Sequence, residues 1–423
     1  MEDSVNLELF APEEVGGISL EEVFEAYFDC RKRKRGTCNA LAFEVNYERE
    51  CIDLWRDINA GTYRPSRSIA FVVTKPVKRE VFAADFRDRV VHHLIARRVE
   101  PLFEQRFIDD SYSTRKGKGT LYGINRVEGF ICECSRDYTE DCYVMKIDIR
   151  SFFMNIPKQP LYDKLSRFLC ERYTGDDLPM LLYLIRETIF NRPEKHCVRR
   201  SPRSLWKGLP PEKSLFASDG THGLPIGNLT SQLMALFYLD ELDHLVTERW
   251  GIGYYGRYVD DMLFVHPSKE RLLAVRLKVE EWLSRNGLSL HPRKMYLQHY
   301  TKGVLFIGGM LLPGRKYISR RTVSFCLEAL GRMNAAADTD SGYTLSDGAH
   351  FIQVLNSYLG MMRHFHTYNR RKIIMAHIGE AWWRVAYVEG SVRKAVLKRE
   401  YRPFYYYLKK YNDDREGDLG GAG

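Results

Sequence analysis

The chain has 423 residues, 44% hydrophobic and 28% charged, a composition ordinary for a globular protein of two or three lobes. No apolar run is long enough to span a bilayer, and the first ten residues, MEDSVNLELF, are acidic rather than signal-like. The nine cysteines lack the paired spacing of a zinc site, so free thiols in a reducing cytoplasm are expected. The net charge of +9 is compatible with a nucleic-acid partner without requiring one.

The first predicted element is a helix from Ser19 to Arg35, which Ser19 and Glu22 begin as a capping box. It ends in five consecutive basic residues: Arg31, Lys32, Arg33, Lys34 and Arg35. Basic residues in a last turn favour the helix dipole, so the run is either a solvated helix end or a contact for a nucleic-acid backbone. A second helix is predicted from Tyr47 to Asn59.

The next segment combines a strand, a helix and two basic stretches. Residues 68–73 are predicted as a strand that leads to the basic stretch 75–79, and a helical period of apolar residues begins at Phe86. The loop 110–123, DSYSTRKGKGTLYG, carries three basic side chains among glycines: Arg115, Lys116 and Lys118. Glycine lets the backbone approach a phosphate that basic side chains neutralise, although any basic turn has this appearance.

Residues 143–149, YVMKIDI, alternate as a strand that carries Asp148 near its end. A buried aspartate is costly without a partner, so a metal or a cation is expected beside it. Residues 191–222 form an insert rich in Pro, Ser, Lys and Arg, predicted as a surface loop. The turn GLPIGNLTSQ follows, and Thr230 or Ser231 is expected to cap the helix after it.

Residues 253–266, GYYGRYVDDMLFVH, predict two apolar strands joined by a tight turn. Adjacent Asp260 and Asp261 raise each other's pKa unless a cation lies against them, and hard carboxylate ligands suit magnesium. An Asp-Asp pair alone is equally typical of a solvated turn. The aromatic residue before the pair and the apolar strands on both sides favour a catalytic site.

The remainder is predicted to be largely helical. A helix over 270–286 precedes Lys294, and 303–309 is a glycine-bounded apolar turn. Three further helices are predicted: 322–337, 348–365 and 370–388. The tail from Val392 alternates basic and aromatic residues, a pattern typical of RNA contact or of a basic amphipathic helix packed on its own domain.

In this order the segments resemble the motif series of reverse transcriptases, over roughly residues 63–312. The resemblance implies an α+β right-hand polymerase fold. An N-terminal helical extension (1–62) precedes fingers (63–142), a palm built on an antiparallel sheet (143–312, with the basic insert 191–222) and a helical thumb with the tail (313–423).

The resemblance also implies the site residues. Asp148 and Asp260 would bridge two Mg²⁺ ions, for which Mn²⁺ can substitute, with Asp261 as a weaker ligand and Ile149 offering its carbonyl. Arg115, Lys116, Lys118 and Arg79 would clamp the triphosphate. Phe153 matches an aromatic gate against the 2′-hydroxyl, although Phe152 and Phe153 are also compatible with a core. The remaining implied contacts are Ile226, Gly227 and Lys294 for the nucleotide, and Tyr258 and Gly308 for RNA or DNA.

The subfamily indication is Leu224–Gln232, LPIGNLTSQ. Most reverse transcriptases carry Gln where this chain has Ile226, and Pro where it has Gln232. The segment is similar to the signature of diversity-generating retroelements, and SYSTRKGKGT and NSYLGMMRHFHTY agree with it. That family implies copying of a template-repeat RNA into cDNA with misincorporation opposite adenine, at positions that Ile226 and Arg115 match. The mutated cDNA then replaces a variable repeat in a target gene.

The resemblance further implies dNTP substrates, a small oligomeric accessory variability determinant as partner, and a cytoplasmic protein encoded by a prokaryote or phage. The insert and the tail have no assigned counterpart and are candidate surfaces for RNA or the accessory protein. Two alternatives stay open: a reverse transcriptase of phage defence or of a retron, and a non-catalytic RNA-binding protein on a polymerase fold. The three carboxylates argue against the second.

Overall fold

The computed structural model describes residues 17–32, 37–337 and 345–402. The chain forms two compact units, residues 1–123 with 145–297, and residues 124–144 with 298–423. This division differs from the four predicted segments, whose boundaries stay predictions. Across the described ranges, every helix is too short or too polar to cross a membrane.

The described part of the first unit contains ten helices, and α5 continues into the second unit. They are α1 (Leu20–Arg31), α2 (Cys38–Val45), α3 (Tyr47–Asn59), α4 (Phe86–Arg106), α5 (Thr120–Cys134), α6 (Phe152–Asn155), α7 (Lys158–Arg172), α8 (Leu178–Phe190), α9 (Leu229–His244) and α10 (Lys269–Arg285). The capping box of α1 is confirmed: Ser19 N donates to Glu22 Oε2 (2.9 Å), and Glu22 N donates to Ser19 Oγ (3.2 Å). Residues 33–35 of the basic run lie outside the described residues.

Four strands form the sheet that we call the palm sheet: β3 (Tyr143–Asp148), β5 (Tyr254–Tyr258), β6 (Asp261–His266) and β7 (Tyr296–His299), in the order β5-β6-β3-β7. The predicted Asp-Asp hairpin is confirmed, with β5 and β6 antiparallel and Tyr258 opposite Asp261. Helix α9 has twelve buried residues and packs on α4, where Phe103 and Phe237 stack with ring centroids 4.9 Å apart. The strands and helices bury their apolar residues in this interior, and the polar Asp-Asp turn lies at the end of the buried strands.

A second sheet carries the insert. Strands β1 (Ser68–Val73) and β2 (Arg79–Ala83) form an antiparallel hairpin, and β4 (Cys197–Arg199) pairs in parallel with β1. The prediction of a surface loop over 191–222 is right for its exposure and wrong for its backbone: the insert contributes strand β4 to this sheet and also contains short 3-10 helices. The sequence pattern missed β4 because three residues between Arg and Pro clusters carry no periodicity of their own.

Besides most of α5, the described part of the second unit contains an antiparallel sheet, a hairpin and four helices. They are β8 (Val304–Phe306), β9 (Gly309–Leu312), β10 (Arg315–Ile318), α11 (Arg320–Ala337), α12 (Leu345–Met362), α13 (Tyr368–Ala376), α14 (Glu380–Val385), β11 (Ala386–Glu389) and β12 (Lys394–Leu397). The glycine-bounded turn predicted at 303–309 is thus a strand, Val304–Phe306, followed by a turn at Ile307 and Gly308.

Two further corrections concern its C-terminal half. The helix predicted over 370–388 is broken into α13 and α14, and its last residues belong to β11. An amphipathic helix from Val392 is also wrong for the described residues, since β12 pairs with β11. The Asn356 side chain is a further partner of β12, because its amide exchanges two 2.7 Å hydrogen bonds with the Ala395 backbone as a neighbouring strand would. The tail beyond Arg402 lies outside the described residues.

The mixed helix-and-sheet class is confirmed, and the palm sheet agrees with the predicted palm. The assignment of fingers and thumb stays a prediction.

Candidate active site

The turn between β5 and β6 consists of Val259 and Asp260. Val259 has a φ of +57°, a left-handed conformation that a β-branched residue rarely adopts. Such a conformation costs of order 1–3 kcal/mol, so the surrounding structure must hold it in place. The turn directs two consecutive carboxylates, Asp260 and Asp261, from the end of the hairpin.

The neighbouring strand brings a third carboxylate to the same place. Asp148 ends β3 and is buried, and the next residue, Ile149, donates its N–H to the Asp260 carbonyl at 3.3 Å. On the other side the Asp148 carbonyl accepts from His291 N at 2.7 Å. Burial, and then the negative charges of Asp148 and Asp261, raise the pKa of Asp260 to about 6. The structure thus gathers the three predicted acidic residues, with a net electrostatic cost.

Two lysines offset part of that cost. Lys294 Nζ lies 3.0 Å and 2.9 Å from the two carboxylate oxygens of Asp148. Lys146 Nζ lies 3.0 Å from Asp261 Oδ1, which opposes the rise that burial causes in the Asp261 pKa. Sequence analysis singled out Lys294 but missed Lys146. Its signal was available, because Lys146 stands two residues before Asp148 on a strand and shares its face.

A buried ion pair supports the turn from behind. Arg257 on β5 is fully buried, and its Nε lies 2.7 Å and 3.0 Å from the carboxylate oxygens of Asp243 on α9. Tyr255 donates its hydroxyl to Asp243 Oδ1 at 2.7 Å. Arg257 Nη1 donates to the Val259 carbonyl at 3.0 Å, inside the strained turn. Sequence analysis missed this pair, because its two residues lie on different elements and neither belongs to the acidic motif.

The donor chemistry of the acidic cluster fits a hard divalent cation, since buried like charges are relieved by one. The positions of the carboxylates do not form a complete metal site. Among the residues that the structure describes, no three Asp, Glu, His or Cys side chains are gathered closely enough to hold a metal ion. Lys294 and Lys146 instead supply the positive charge at Asp148 and Asp261. The metal ligands Asp148, Ile149, Asp260 and Asp261 stay a prediction.

The Leu224–Gln232 segment lies against the sheet of β1 and β2. The Ile226 carbonyl accepts from Phe82 N at 2.9 Å, and the half-buried Ile226 side chain packs on the apolar cluster around Phe82. Gly227 has a φ of +117°, and a Cβ there would lie 2.7 Å from Val81 Cγ1, so this position requires glycine. Phe153 is half-buried beside buried Phe152, and its carbonyl accepts from Leu224 N at 2.8 Å.

Helix α9 begins within this segment, two or three residues earlier than expected. The N-cap of α9 is Asn228, so capping by Thr230 or Ser231 is wrong. The Asn228 side chain is not a cap either, because its Oδ1 accepts from Ala84 N at 3.1 Å and joins the segment to the end of β2. At the other end, Thr114 Oγ1 donates to Gln232 Oε1 at 2.9 Å. Two motifs singled out separately in the sequence are therefore in contact.

The basic loop is folded onto its own unit. The Arg115 side chain is 4% exposed, with Nε and Nη2 on the Glu104 carboxylate and Nη1 on the Ile108 and Ser111 carbonyls. Lys118 Nζ bonds the Asp109 carbonyl at 2.7 Å, whereas Lys116 and Arg79 are exposed. Arg115 and Lys118 would have to exchange these partners to clamp a triphosphate, and the clamp stays a prediction.

The residues predicted to contact RNA or DNA are dispersed. Arg31 is paired with Glu44, and Lys32 Nζ lies 2.7 Å from Asp29 Oδ1. Arg33, Lys34 and Arg35 lie outside the described residues. Tyr258 is half-buried at the end of β5, and Gly308 belongs to the second unit, where its carbonyl accepts from Ser319 N. Nucleic-acid contact by these residues stays a prediction.

An Asp-Asp hairpin beside a strand that ends in a third aspartate, within a mixed α and β architecture, defines a candidate polymerase site. Residues 77–311, more than half of the chain, match the model described as reverse transcriptase (RNA-dependent DNA polymerase), and the chain belongs to this family. Membership indicates an RNA-directed DNA polymerase, a nucleotidyltransferase that uses an RNA template and nucleotide substrates and that normally requires divalent metal ions.

Individual relatives are distant. Protein YkfC from Escherichia coli (strain K12) is 22% identical over 322 residues, which cover 67% of this chain and 77% of the relative. The structure of telomerase from Candida albicans with a TWJ fragment of telomeric RNA has a TM-score of 0.44 at 10% identity, covering 77% of this chain and 61% of that chain. Apo telomerase from Candida tropicalis has a TM-score of 0.45 at 11% identity, covering 78% and 63%. This chain thus spans less than two thirds of either telomerase chain.

Proposed function

We propose that this chain is the reverse transcriptase of a diversity-generating retroelement. It copies a template-repeat RNA into cDNA with errors directed to adenine, for mutagenic retrohoming into a variable repeat. The observation that carries the proposal is Ile226 within LPIGNLTSQ, where most reverse transcriptases have a glutamine beside the incoming nucleotide.

The placement of Ile226 supports this role for its side chain. Its backbone is fixed by the hydrogen bond to Phe82 N and by the close approach of Gly227 to Val81. These two contacts do not involve the side chain at 226, which packs on the apolar cluster around Phe82. An isoleucine cannot donate a hydrogen bond to a nucleotide, so correct and incorrect base pairs differ less in binding free energy.

The contact between Thr114 and Gln232 adds a second argument. It joins the loop of Arg115 to the LPIGNLTSQ segment. Arg115 is the other position that the subfamily associates with adenine misincorporation. The two positions therefore lie on segments in direct contact, which supports a joint effect of the two segments on fidelity.

For the chemical step, Asp148 and Asp260, with Asp261 and the Ile149 carbonyl, are the proposed holders of two Mg²⁺ ions. Two ions held by these residues would supply activation of the primer 3′-hydroxyl and positive charge for the triphosphate and its leaving group. Arg257 and Asp243 hold the turn that carries Asp260. Lys294 leaves the Asp148 carboxylate for the leaving group, and Phe153 excludes a 2′-hydroxyl from the nucleotide sugar.

The partners follow from the same proposal. They are the template-repeat RNA, its cDNA, dNTPs and a small oligomeric accessory variability determinant, in the cytoplasm of a prokaryote or of a phage host.

Primer extension on an RNA template with Mg²⁺ and dNTPs, followed by sequencing of the product, tests the proposal. Errors concentrated opposite template adenine are expected. The reaction is run with and without a candidate accessory protein, and Asp260→Ala serves as the inactive control. A product with errors spread evenly over the four template bases contradicts the subfamily and leaves the polymerase activity standing.

A further inference from the structure

Two adjoining cavities open on the insert 191–222. The first has a volume of about 340 Å³ and is lined by Trp206, Phe216, Arg199 and Arg203 together with Leu209 and Pro211. The second has a volume of about 440 Å³, shares Arg199, Arg203 and Phe216 with the first, and adds Lys195 and the carboxylate of Glu194. Each is near the small end of the range of about 300–1,000 Å³ typical of ligand pockets. Their size suits a planar group with one charged neighbour rather than a helix or a duplex.

The aromatic walls are fixed from below. Glu80 on β2 is buried, and its carboxylate accepts from Trp206 Nε1 at 2.6 Å, Ser214 Oγ at 2.7 Å and Leu215 N at 2.7 Å. Since the indole N–H is already donated to Glu80, Trp206 presents only its ring to a ligand. Phe216 packs on Phe82 with ring centroids 5.3 Å apart. These walls are preorganised, which reduces the entropy lost on binding.

The charge that lines the cavities is net positive, with Arg199 and Arg203 in both cavities and Lys195 against Glu194 in the second. The insert has seven Lys and Arg residues and three Asp and Glu residues, a net charge of +4. Its acidic residues face other partners: Glu194 pairs with Arg192, Glu212 with Arg150, and Asp219 with His222. Within the described ranges, Arg199 and Arg203 have no carboxylate within 4.0 Å. The Arg199 guanidinium instead lies 4.2 Å from the centroid of the Phe216 ring.

We propose that these cavities bind one nucleotide of a single-stranded RNA and the phosphate next to it. The base stacks on Trp206 and on Phe216, where it takes the place that the Arg199 guanidinium holds over the Phe216 ring in the free protein. Arg199 and Arg203 then bind the phosphate through their planar guanidinium groups. Ring faces beside arginine are the chemistry by which proteins bind single strands without base specificity. An acidic peptide would use the arginines but would gain little from two aromatic walls.

The proposed RNA site lies next to the Leu224–Gln232 segment. Trp206, Phe216 and Ile226 pack against the same apolar cluster of Ala70, Phe82, Met154 and Leu215. An RNA strand held by the insert therefore lies beside the segment that ends with Gln232. The inference needs only that the chain binds RNA, and it holds whether or not the chain belongs to a diversity-generating retroelement.

The salt dependence of RNA binding tests the phosphate contact. The full chain, its Arg199→Gln/Arg203→Gln variant and a matched control, Arg276→Gln/Arg285→Gln on α10, are titrated with one single-stranded RNA at several salt concentrations. All four arginines take part in no buried contact, so folding is preserved, which thermal unfolding verifies. Loss of two phosphate contacts is expected to flatten the slope of log K against log salt by about 1.4, from about 0.7 per phosphate. Equal slopes for the two double variants overturn the proposal.

A ring variant tests the base contact. Phe216→Leu keeps an apolar side chain over Phe82 but removes the aromatic face, and affinity for the RNA is expected to fall roughly 5- to 150-fold. An unchanged affinity for the RNA would show that no base stacks on Phe216. An equal loss of affinity for poly-glutamate would show that the site binds anions in general. Either result would overturn the proposed nucleotide site. Titration with adenosine 5′-monophosphate distinguishes a nucleotide within an RNA strand from a free nucleotide. If the free nucleotide binds as tightly as the RNA, the site is assigned to free nucleotides and the proposal of a bound RNA strand is overturned. Failure of these tests leaves the error spectrum of primer extension unaffected, so the two proposals fail separately.

Discussion

Two groups of charged residues lie next to each other along β5 and its turn, and they differ in how their charges are satisfied. In the first, Arg257, Asp243 and Tyr255 are buried and matched: burial alone would lower the Arg257 pKa, but the charge and hydrogen bonds of Asp243 outweigh it and raise that pKa. In the second, Asp148, Asp260 and Asp261 bring like charges together, and the pKa of Asp260 rises to about 6. We call Arg257, Asp243 and Tyr255 the matched group, and it supports the turn. We call Asp148, Asp260 and Asp261 the mismatched group, and its excess negative charge fits a bound cation.

The hydrogen bond from Arg257 to the Val259 carbonyl joins the two groups. A left-handed valine and a cluster of carboxylates are each unfavourable, and they persist only where neighbouring structure holds them. Buried ion pairs contribute little net stability but are costly to break. The pair at Arg257 is therefore explained better by the turn it positions than by stability alone.

The largest expected effect comes from removing a charge of the mismatched group. Asp260→Asn keeps the volume of the side chain but removes a carboxylate, and primer extension should fall by at least about 10³-fold, because several kcal/mol of transition-state stabilisation are lost. In the presence of a chelator the same variant should be more stable than the parent by about 1–2 kcal/mol, since a buried like charge is gone. Activity and thermal unfolding are measured on one preparation.

Asp176→Asn, at an exposed position, is the matched control and should change neither quantity. Normal extension by Asp260→Asn would remove the active-site assignment. Lower stability in chelator would mean that the three carboxylates are compensated in the folded protein.

The matched group should respond in the opposite way. Arg257→Met or Asp243→Leu alone leaves one buried charge without its partner, and each should lower the free energy of unfolding by about 3–5 kcal/mol. The double variant should recover most of this loss because no buried charge is left. Its primer extension should nevertheless stay about 10²-fold below the parent, since the Val259 carbonyl has lost its donor and the turn is misplaced.

Denaturant unfolding of the three variants measures the effect of the pair on stability, and single-turnover primer extension measures its effect on the position of the turn. If activity recovers together with stability in the double variant, the pair has no positioning role.

A smaller effect, on the error frequency, is expected from a change at residue 226. Ile226→Gln restores a polar side chain on a backbone that Phe82 and Gly227 hold in place, and the error frequency opposite adenine should fall about 2- to 10-fold, the value of one hydrogen bond. Ile226→Val is the control, because it stays apolar and should keep the parent error spectrum. Equal spectra for the glutamine and valine variants would count against any role of residue 226 in fidelity.

What the sequence predicted correctly was local. The Asp-Asp hairpin, the Asp148 strand and the α1 capping box each depend on residues a few positions apart, whose spacing is visible in one chain. Lys294 was placed by resemblance; its Nζ contacts the Asp148 carboxylate, and its role at the nucleotide stays a prediction. What was missed depends on distant partners: β4 pairs with β1 across more than a hundred residues, Asp243 meets Arg257 from another element, and β12 is completed by Asn356. No periodicity within the segment encodes such pairings.

The smallest effect is expected where the surface charges are already paired. Arg31 and Lys32 lie against Glu44 and Asp29, unlike Arg199 and Arg203, so Arg31→Gln/Lys32→Gln should change the salt dependence of RNA binding by well under the value of about 1.4 expected for two phosphate contacts. Titration of this variant beside Arg199→Gln/Arg203→Gln compares two equal losses of charge. A slope flattened equally in both would mean that Arg31 and Lys32 exchange their carboxylates for phosphates, and that the basic run 31–35 belongs to the RNA surface.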